Sequence, residues 1–104
     1  LIKGEIRPIA KVVPRKYKIP HIGWNKLHFT KEKSRLFRYI NEGDYVYFVH
    51  SYYGTGCKDS LLATTEYGAE LTAAVGKKNV FGCQFHPEKS GDTGLKILKA
   101  FAEI

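Results

Sequence analysis

The sequence is short of several things, and each shortage closes a route. Its 104 residues hold only two cysteines, Cys57 and Cys83. Two thiols are too few for a disulfide scaffold and lack the paired spacing of a zinc site. Free thiols in a reducing compartment are the plain expectation, which gives a cytoplasmic location. No apolar run approaches the roughly 20 residues that cross a bilayer, and no segment has the layout of a signal peptide, so no membrane partner is expected. There is no internal repeat, low-complexity tract or linker. Methionine is absent, even at the first position. The opening Leu1-Ile2-Lys3-Gly4-Glu5-Ile6 already reads as strand, and we expect a piece of a longer chain.

Acidic residues are also few. Ten stand against 17 Lys and Arg, for a net charge of +7. The imbalance is local: residues 1–38 hold 11 of the basic residues and two of the acidic ones. Such a face suits nucleic acid, an acidic protein surface or a phosphorylated ligand, or is simply solvated. No helix-turn-helix, zinc-finger or RNA-binding signature accompanies it, so nucleic acid is not the expected partner.

What is present suits one globular domain, with 43% hydrophobic and 13% aromatic residues. Residues 1–13 suit edge or irregular strands, interrupted by Pro8. Residues 31–41, with Leu36, Phe37 and Ile40 at helical spacing, predict a short helix. Tyr45-Val46-Tyr47-Phe48-Val49 is the strongest strand, and its unbroken apolar character predicts burial on both faces. Three more strands, near 60–67, 69–75 and 79–85, are separated at hairpin length and predict an antiparallel meander. A last helix, capped by Ser90 or Asp92, would bury Leu95, Leu98 and Phe101 and keep Lys96, Lys99 and Glu103 wet. The class is α/β or α+β.

The chemistry concentrates at Val80-Phe81-Gly82-Cys83-Gln84-Phe85-His86-Pro87-Glu88-Lys89-Ser90. An apolar strand ends at His-Pro-Glu. In extended chain His86 and Glu88 share a face, and Pro87 biases His86 away from helix. Glu88 can then hold one imidazole nitrogen while the other faces a nucleophile. Spacing alone is equally met by a surface histidine in a turn. Neither thiol is an obvious partner. Cys83 falls on the opposite face from His86, and no helix opens behind Cys57. Nothing pairs His21, His28, His50 and His86 at metal spacing, and no metal or cofactor is expected. Trp24, the single tryptophan, is either core filling or an interface anchor.

Three segments together resemble one family: Ile19-Pro20-His21-Ile22-Gly23-Trp24-Asn25, Tyr47-Phe48-Val49-His50-Ser51-Tyr52, and Gly82-Cys83-Gln84-Phe85-His86-Pro87-Glu88-Lys89-Ser90. The chain resembles the C-terminal half of the glutamine amidotransferase subunit of imidazole glycerol phosphate synthase, along essentially all its length. The last segment marks class I glutamine amidotransferases in general, and the other two narrow the likeness to this subunit. The resemblance implies the C-terminal portion of a flavodoxin-like α/β fold, with residues 1–104 as part of a single domain. The expected sheet is mixed, with an antiparallel meander and a C-terminal helix. It implies glutamine hydrolysis by a Cys-His-Glu triad, with ammonia passed to a (β/α)₈-barrel cyclase subunit during histidine biosynthesis. His86 would be the triad base and Glu88 its orienting acid. The backbone of Ser51 and Tyr52 would line the glutamine site. Trp24, Tyr47 and Lys89 would lie at or near the cyclase interface. The family's nucleophile sits in a Gly-x-Cys-x-Gly elbow, and that pattern does not occur here, so these residues alone are expected to be inactive. A docking module without catalysis and a basic nucleic-acid-binding domain are the alternatives.

Overall fold

The computed structural model describes residues 2–30 and 32–104. Among the described residues eight strands form three antiparallel arrangements. Strand β1 (Glu5–Pro8) pairs with β5 (Tyr52–Thr55) as a two-stranded ribbon. Pro8 sits at its end, where a missing N–H costs no ladder bond. Strand β2 (His21–Lys26) pairs with β4 (Tyr45–His50), with Trp24 opposite Tyr47 and His21 opposite His50. The expected meander is β6 (Leu61–Glu66), β7 (Glu70–Lys77) and β8 (Val80–Cys83), with β3 (His28–Phe29) added along β6. Its first turn uses Gly68 at φ +73°, and the second is the two-residue Lys78-Asn79. The single α-helix among the described residues, α1, spans Gly91–Ala102. The α/β class, the meander and the closing helix agree with the sequence reading. All the strand ladders among the described residues are antiparallel.

The helix expected over 31–41 is not an α-helix. Lys31 lies outside the described residues. Ser34 accepts the Leu36 N–H at 3.2 Å and opens one 3₁₀ turn, Arg35–Phe37. The chain is then captured by the Asn41–Asp44 turn, where the Asp44 carboxylate accepts the Asn41 N–H at 2.8 Å and Gly43 takes φ +87°. Leu36, Phe37 and Ile40 are buried as their apolar character requires. Phe37 stacks on Phe29 with ring centres 4.9 Å apart. Their spacing carried the burial correctly and the helix wrongly, because two successive tight turns bury the same positions.

Strand β4 is covered on one face only. Val46, Phe48 and His50 are buried, whereas Tyr45 and Val49 are exposed. The inner face joins the core of Leu27, Leu36, Phe37, Ile40, Ala63, Ala73, Ala74, Phe85 and Ile97. The outer face shares open surface with Ile22 and Trp24 of β2.

The stripe of α1 is also displaced from expectation. Gly94, Ile97 and Ala100 are buried. Leu95, Leu98 and Phe101 are 64%, 43% and 49% exposed. The cause is close approach. A Cβ on Gly94 would lie 1.8 Å from the Pro87 carbonyl oxygen. Only glycine lets the helix sit this tightly on the turn after β8, and that contact fixes which face turns inward.

Gly94→Ala sets a gain in helix propensity of about 1 kcal/mol against this clash. Backbone displacement on overpacking costs about 1–3 kcal/mol and dominates. We expect a lower urea midpoint with displaced His86 resonances. An unchanged or raised midpoint contradicts the packing argument.

Candidate active site

Strand β8 ends at Cys83, earlier than the sequence suggests, and Gln84 and Phe85 lead out of it. Phe85 is buried against Phe48, ring centres 5.9 Å apart, and anchors the segment. His86 is extended, at φ −103° and ψ 100°, and Pro87 opens a 3₁₀ turn over Pro87–Lys89. Proline suits this first position, where its fixed φ is preorganised and no N–H is needed. His86 and Glu88 therefore meet across a tight turn rather than along a strand face. The His86 Nδ1 lies 3.1 Å from Glu88 Oε2.

The backbone of His86 is held by a closed set of hydrogen bonds on β4. Its N–H donates to the Tyr47 carbonyl at 3.0 Å. The Tyr47 N–H donates to Ser90 Oγ at 3.0 Å, and the Ser90 hydroxyl donates to the His86 carbonyl at 2.6 Å. Ser90 is 1% exposed. It stands at the N-cap position of α1 but makes no side-chain cap bond there. Its hydroxyl serves the clasp instead.

A carboxylate only accepts, so the Glu88 contact places the proton on Nδ1 and leaves the Nε2 lone pair outward. No described residue hydrogen-bonds Nε2. The Glu88 carboxyl is held below the ordinary carboxylate range by its own backbone N–H and by the imidazole. It stays ionised where a histidine base is neutral. The pair is thus an oriented base near the surface, needing a proton donor within reach of Nε2.

The two thiols are not that donor. Cys57 and Cys83 both line a cavity of about 400 Å³ between the β1 and β5 segments and the sheet, and His86 is not part of its lining. Protein packed around the Cys83 thiol raises it above its ordinary value although the residue reaches the surface, which disfavours thiolate. Among the described residues no three His, Cys, Asp or Glu side chains gather as a metal set.

Trp24 and Tyr47 are brought together edge to face, ring centres 5.7 Å apart. The tip of the Trp24 ring reaches within 3.9 Å of where a Cβ on Gly91 would stand, two residues beyond exposed Lys89. Trp24 and Tyr47 therefore share one surface beside the clasp, and it reaches the chain at Gly91. Ser51 and Tyr52 sit further along the chain from Tyr47. Four residues of extended backbone put Ser51 about 13 Å from Tyr47. The Ser51 carbonyl accepts the Ile9 N–H at 2.9 Å.

The profile of the family described as glutamine amidotransferase class I matches residues 5–104. The chain belongs to the class I glutamine amidotransferase family. Eight of its curated relatives carry one name, imidazole glycerol phosphate synthase subunit HisH. The relative from Caldanaerobacter subterraneus subsp. tengcongensis is 59% identical over 88% of this chain and 45% of its own length. That from Lactococcus lactis subsp. lactis is 53% identical over 99% of this chain and 49% of its own. That from Methanosarcina acetivorans is 48% identical over 100% and 50%. The chain spans about half the length of the curated relatives it matches.

Two features of this amidotransferase chain escape a reading of the motif. Ser90 is one, since the sequence presents it as a helix cap. The other is the contact between His21 and His50, which lie 29 positions apart and meet only through the β2–β4 register.

Ser90→Ala strands the buried Tyr47 N–H and removes one of the bonds on the His86 carbonyl. Stranding a buried donor costs about 1–3 kcal/mol. The expected result is a loss of that size in denaturant titration, with broadened His86 ring resonances. Full stability in the alanine variant contradicts a structural clasp.

Proposed function

We propose that residues 1–104 form the C-terminal part of a single glutamine amidotransferase domain. The whole protein is the glutaminase subunit of imidazole glycerol phosphate synthase, in histidine biosynthesis. One observation carries this reading: in a class I family member, His86 Nδ1 stands 3.1 Å from Glu88 Oε2 with Nε2 left outward. The relatives' name supports the choice of synthase.

In this reading His86 is the base and Glu88 its orienting acid. Nε2 takes the proton of a cysteine thiol supplied from outside these residues. The thiolate attacks the side-chain carbonyl carbon of glutamine, and the C–N bond breaks as the tetrahedral intermediate collapses. Nε2–H returns its proton to the leaving nitrogen, releasing ammonia. Water, deprotonated by the same nitrogen, then cleaves the thioester to glutamate. The backbone of Ser51 and Tyr52 lines the glutamine pocket. No cofactor takes part.

The partner is the (β/α)₈-barrel cyclase, to which the ammonia passes. Trp24, 52% exposed, packs with Tyr47 on the uncovered face of the β2–β4 pair, and we assign Lys89, exposed two residues before Gly91, to the edge of that surface. Aromatic residues on an open face, edged by a cation, are the composition of an anchoring patch. That patch needs no nucleophile, which keeps a docking module as the second reading. No helix among the described residues is long and apolar enough to cross a membrane, and the proposed location is cytoplasmic.

The purified 104-residue chain is expected to release no ammonia from glutamine, and measurable release would overturn the reading. In a complete subunit carrying a Gly-x-Cys-x-Gly elbow, bound to cyclase, His86→Ala should lower glutaminase kcat by about 10²–10⁴-fold. Glu88→Gln should lower it less. Undiminished turnover in His86→Ala refutes the assigned base and leaves docking as the function.

A further inference from the structure

The buried pair His21 and His50 has no part in the chemistry above. His21 is 1% exposed and His50 is 7% exposed. The His21 ring lies between Tyr67 and Phe48, with ring centres 3.9 Å and 5.0 Å away. Its Nδ1 lies 2.8 Å from His50 Nε2. At one end of the pair, His50 Nδ1 is 2.9 Å from the Tyr52 carbonyl oxygen. At the other, His21 Nε2 is 2.9 Å from Asn25 Oδ1. The orientation of the Asn25 amide is fixed by its Nδ2, which donates to the Glu66 carbonyl at 2.9 Å.

Counting protons gives this row its meaning. Both ends are oxygen atoms that only accept, so His50 Nδ1 and His21 Nε2 must each carry a proton. The central nitrogen–nitrogen contact needs a third. Two neutral imidazoles bring two protons. The row is complete only when the pair holds one extra proton, and as a neutral pair it leaves one contact unbonded.

We propose that His21, His50 and Asn25 form a positioning relay, completed by a single shared proton, that holds the Tyr52 carbonyl and with it the Ser51–Tyr52 segment that receives glutamine. The substrate part of this inference rests on the function proposed above, whereas the relay does not. The segment is also anchored by the Ile9 N–H on the Ser51 carbonyl and by the pairing of Tyr52 with Pro8 in the β1–β5 ribbon. His50 therefore acts on the pocket through Tyr52 and touches no substrate.

The surroundings set the sign of the pH dependence. From β2 the pair faces Asn25; from β4, Phe48; from the β6–β7 turn, Tyr67, whose hydroxyl donates to the Lys18 carbonyl at 2.6 Å. Glu66 offers the relay its backbone carbonyl, while its carboxylate accepts the Gly68 N–H. Lys16 stands over Tyr17, which packs on the far partner Tyr67. No carboxylate among the described residues bonds either ring. Burial lowers both imidazoles from their ordinary value, and a charge on His21 further disfavours one on His50. The unfolded chain takes two protons near pH 6.5, and the folded pair takes one, further to the acid side. Stability contributed by the neutral pair is therefore full above the ordinary histidine range and falls as pH drops through it.

Imidazole nitrogen NMR on the complete subunit bound to cyclase reads the relay directly. Between pH 8 and 5 both rings should shift together in one step, worth one proton for the pair, with a midpoint below 6.5. Asn25→Ala removes the end acceptor and should move that midpoint lower. Two independent steps, no step above pH 5, or an unmoved midpoint in Asn25→Ala would overturn the relay. In the complete subunit bound to cyclase, His50→Gln should raise KM for glutamine by about five- to tenfold, the worth of one hydrogen bond, with kcat within about twofold of wild type. A fall in kcat at unchanged KM, or no change in either, would overturn the positioning role. Failure of the glutaminase reading itself would appear separately, as turnover surviving in His86→Ala while the NMR step stays in place.

Discussion

The closed set of bonds joining His86, Tyr47 and Ser90 is the constraint on which the site depends. An imidazole at a strand end has a free backbone, and side-chain contacts with a mobile carboxylate do not fix it in space. Here the His86 N–H and carbonyl are both committed, one to β4 and one to a buried hydroxyl. Tyr47 in turn has both of its backbone groups engaged on that edge of β4, the side away from β2. The segment after β8 thus behaves as a short added strand, without the ladder that would make it one. Glu88 needs only to complete the orientation. Its exposure is tolerable because it turns a ring whose base is already fixed.

Helix α1 is seated by the same turn. The approach of Gly94 to the Pro87 carbonyl ties the helix axis to Pro87–Lys89. Ile97 and Ala100 then reach the core one turn and two turns later. The price of this seating is an outer face carrying Leu95, Leu98 and Phe101, only partly covered by the edge contact of Phe101 with Phe81. A small residue has outranked three large ones in choosing the buried face. Hydrophobicity sets how much a face gains by burial, and backbone clearance sets whether that face can be reached at all.

That ranking explains what could be read in advance. His86 and Glu88 were legible because their relation is local, two residues apart around a proline. The meander was legible because its turns are short and glycine or asparagine marks them. The face of α1 was not, since glycine carries no signal in a hydrophobic stripe. Nor was the open outer face of β4, where Tyr45 and Val49 match any buried strand in composition. The 3₁₀ turn at Arg35–Phe37 and the bend that follows it were hidden because Leu36, Phe37 and Ile40 keep the spacing of a helix. His21 and His50 were visible individually, and their separation suggested nothing. Only the register of β2 on β4 makes them neighbours.

Position 47 divides its duties in an unusual way. Its amide and carbonyl hold the proposed base, while its ring lies on the outer surface against Trp24. The first duty is met by any residue except proline, so the side chain is at liberty to follow whatever that surface meets. Position 90 is the reverse: its hydroxyl is indispensable to the clasp and invisible from outside. A lineage could therefore redraw the surface around residue 47 again and again without moving the imidazole behind it. Recognition and catalytic geometry can drift apart in sequence at a single residue, because one is written in its side chain and the other in its backbone.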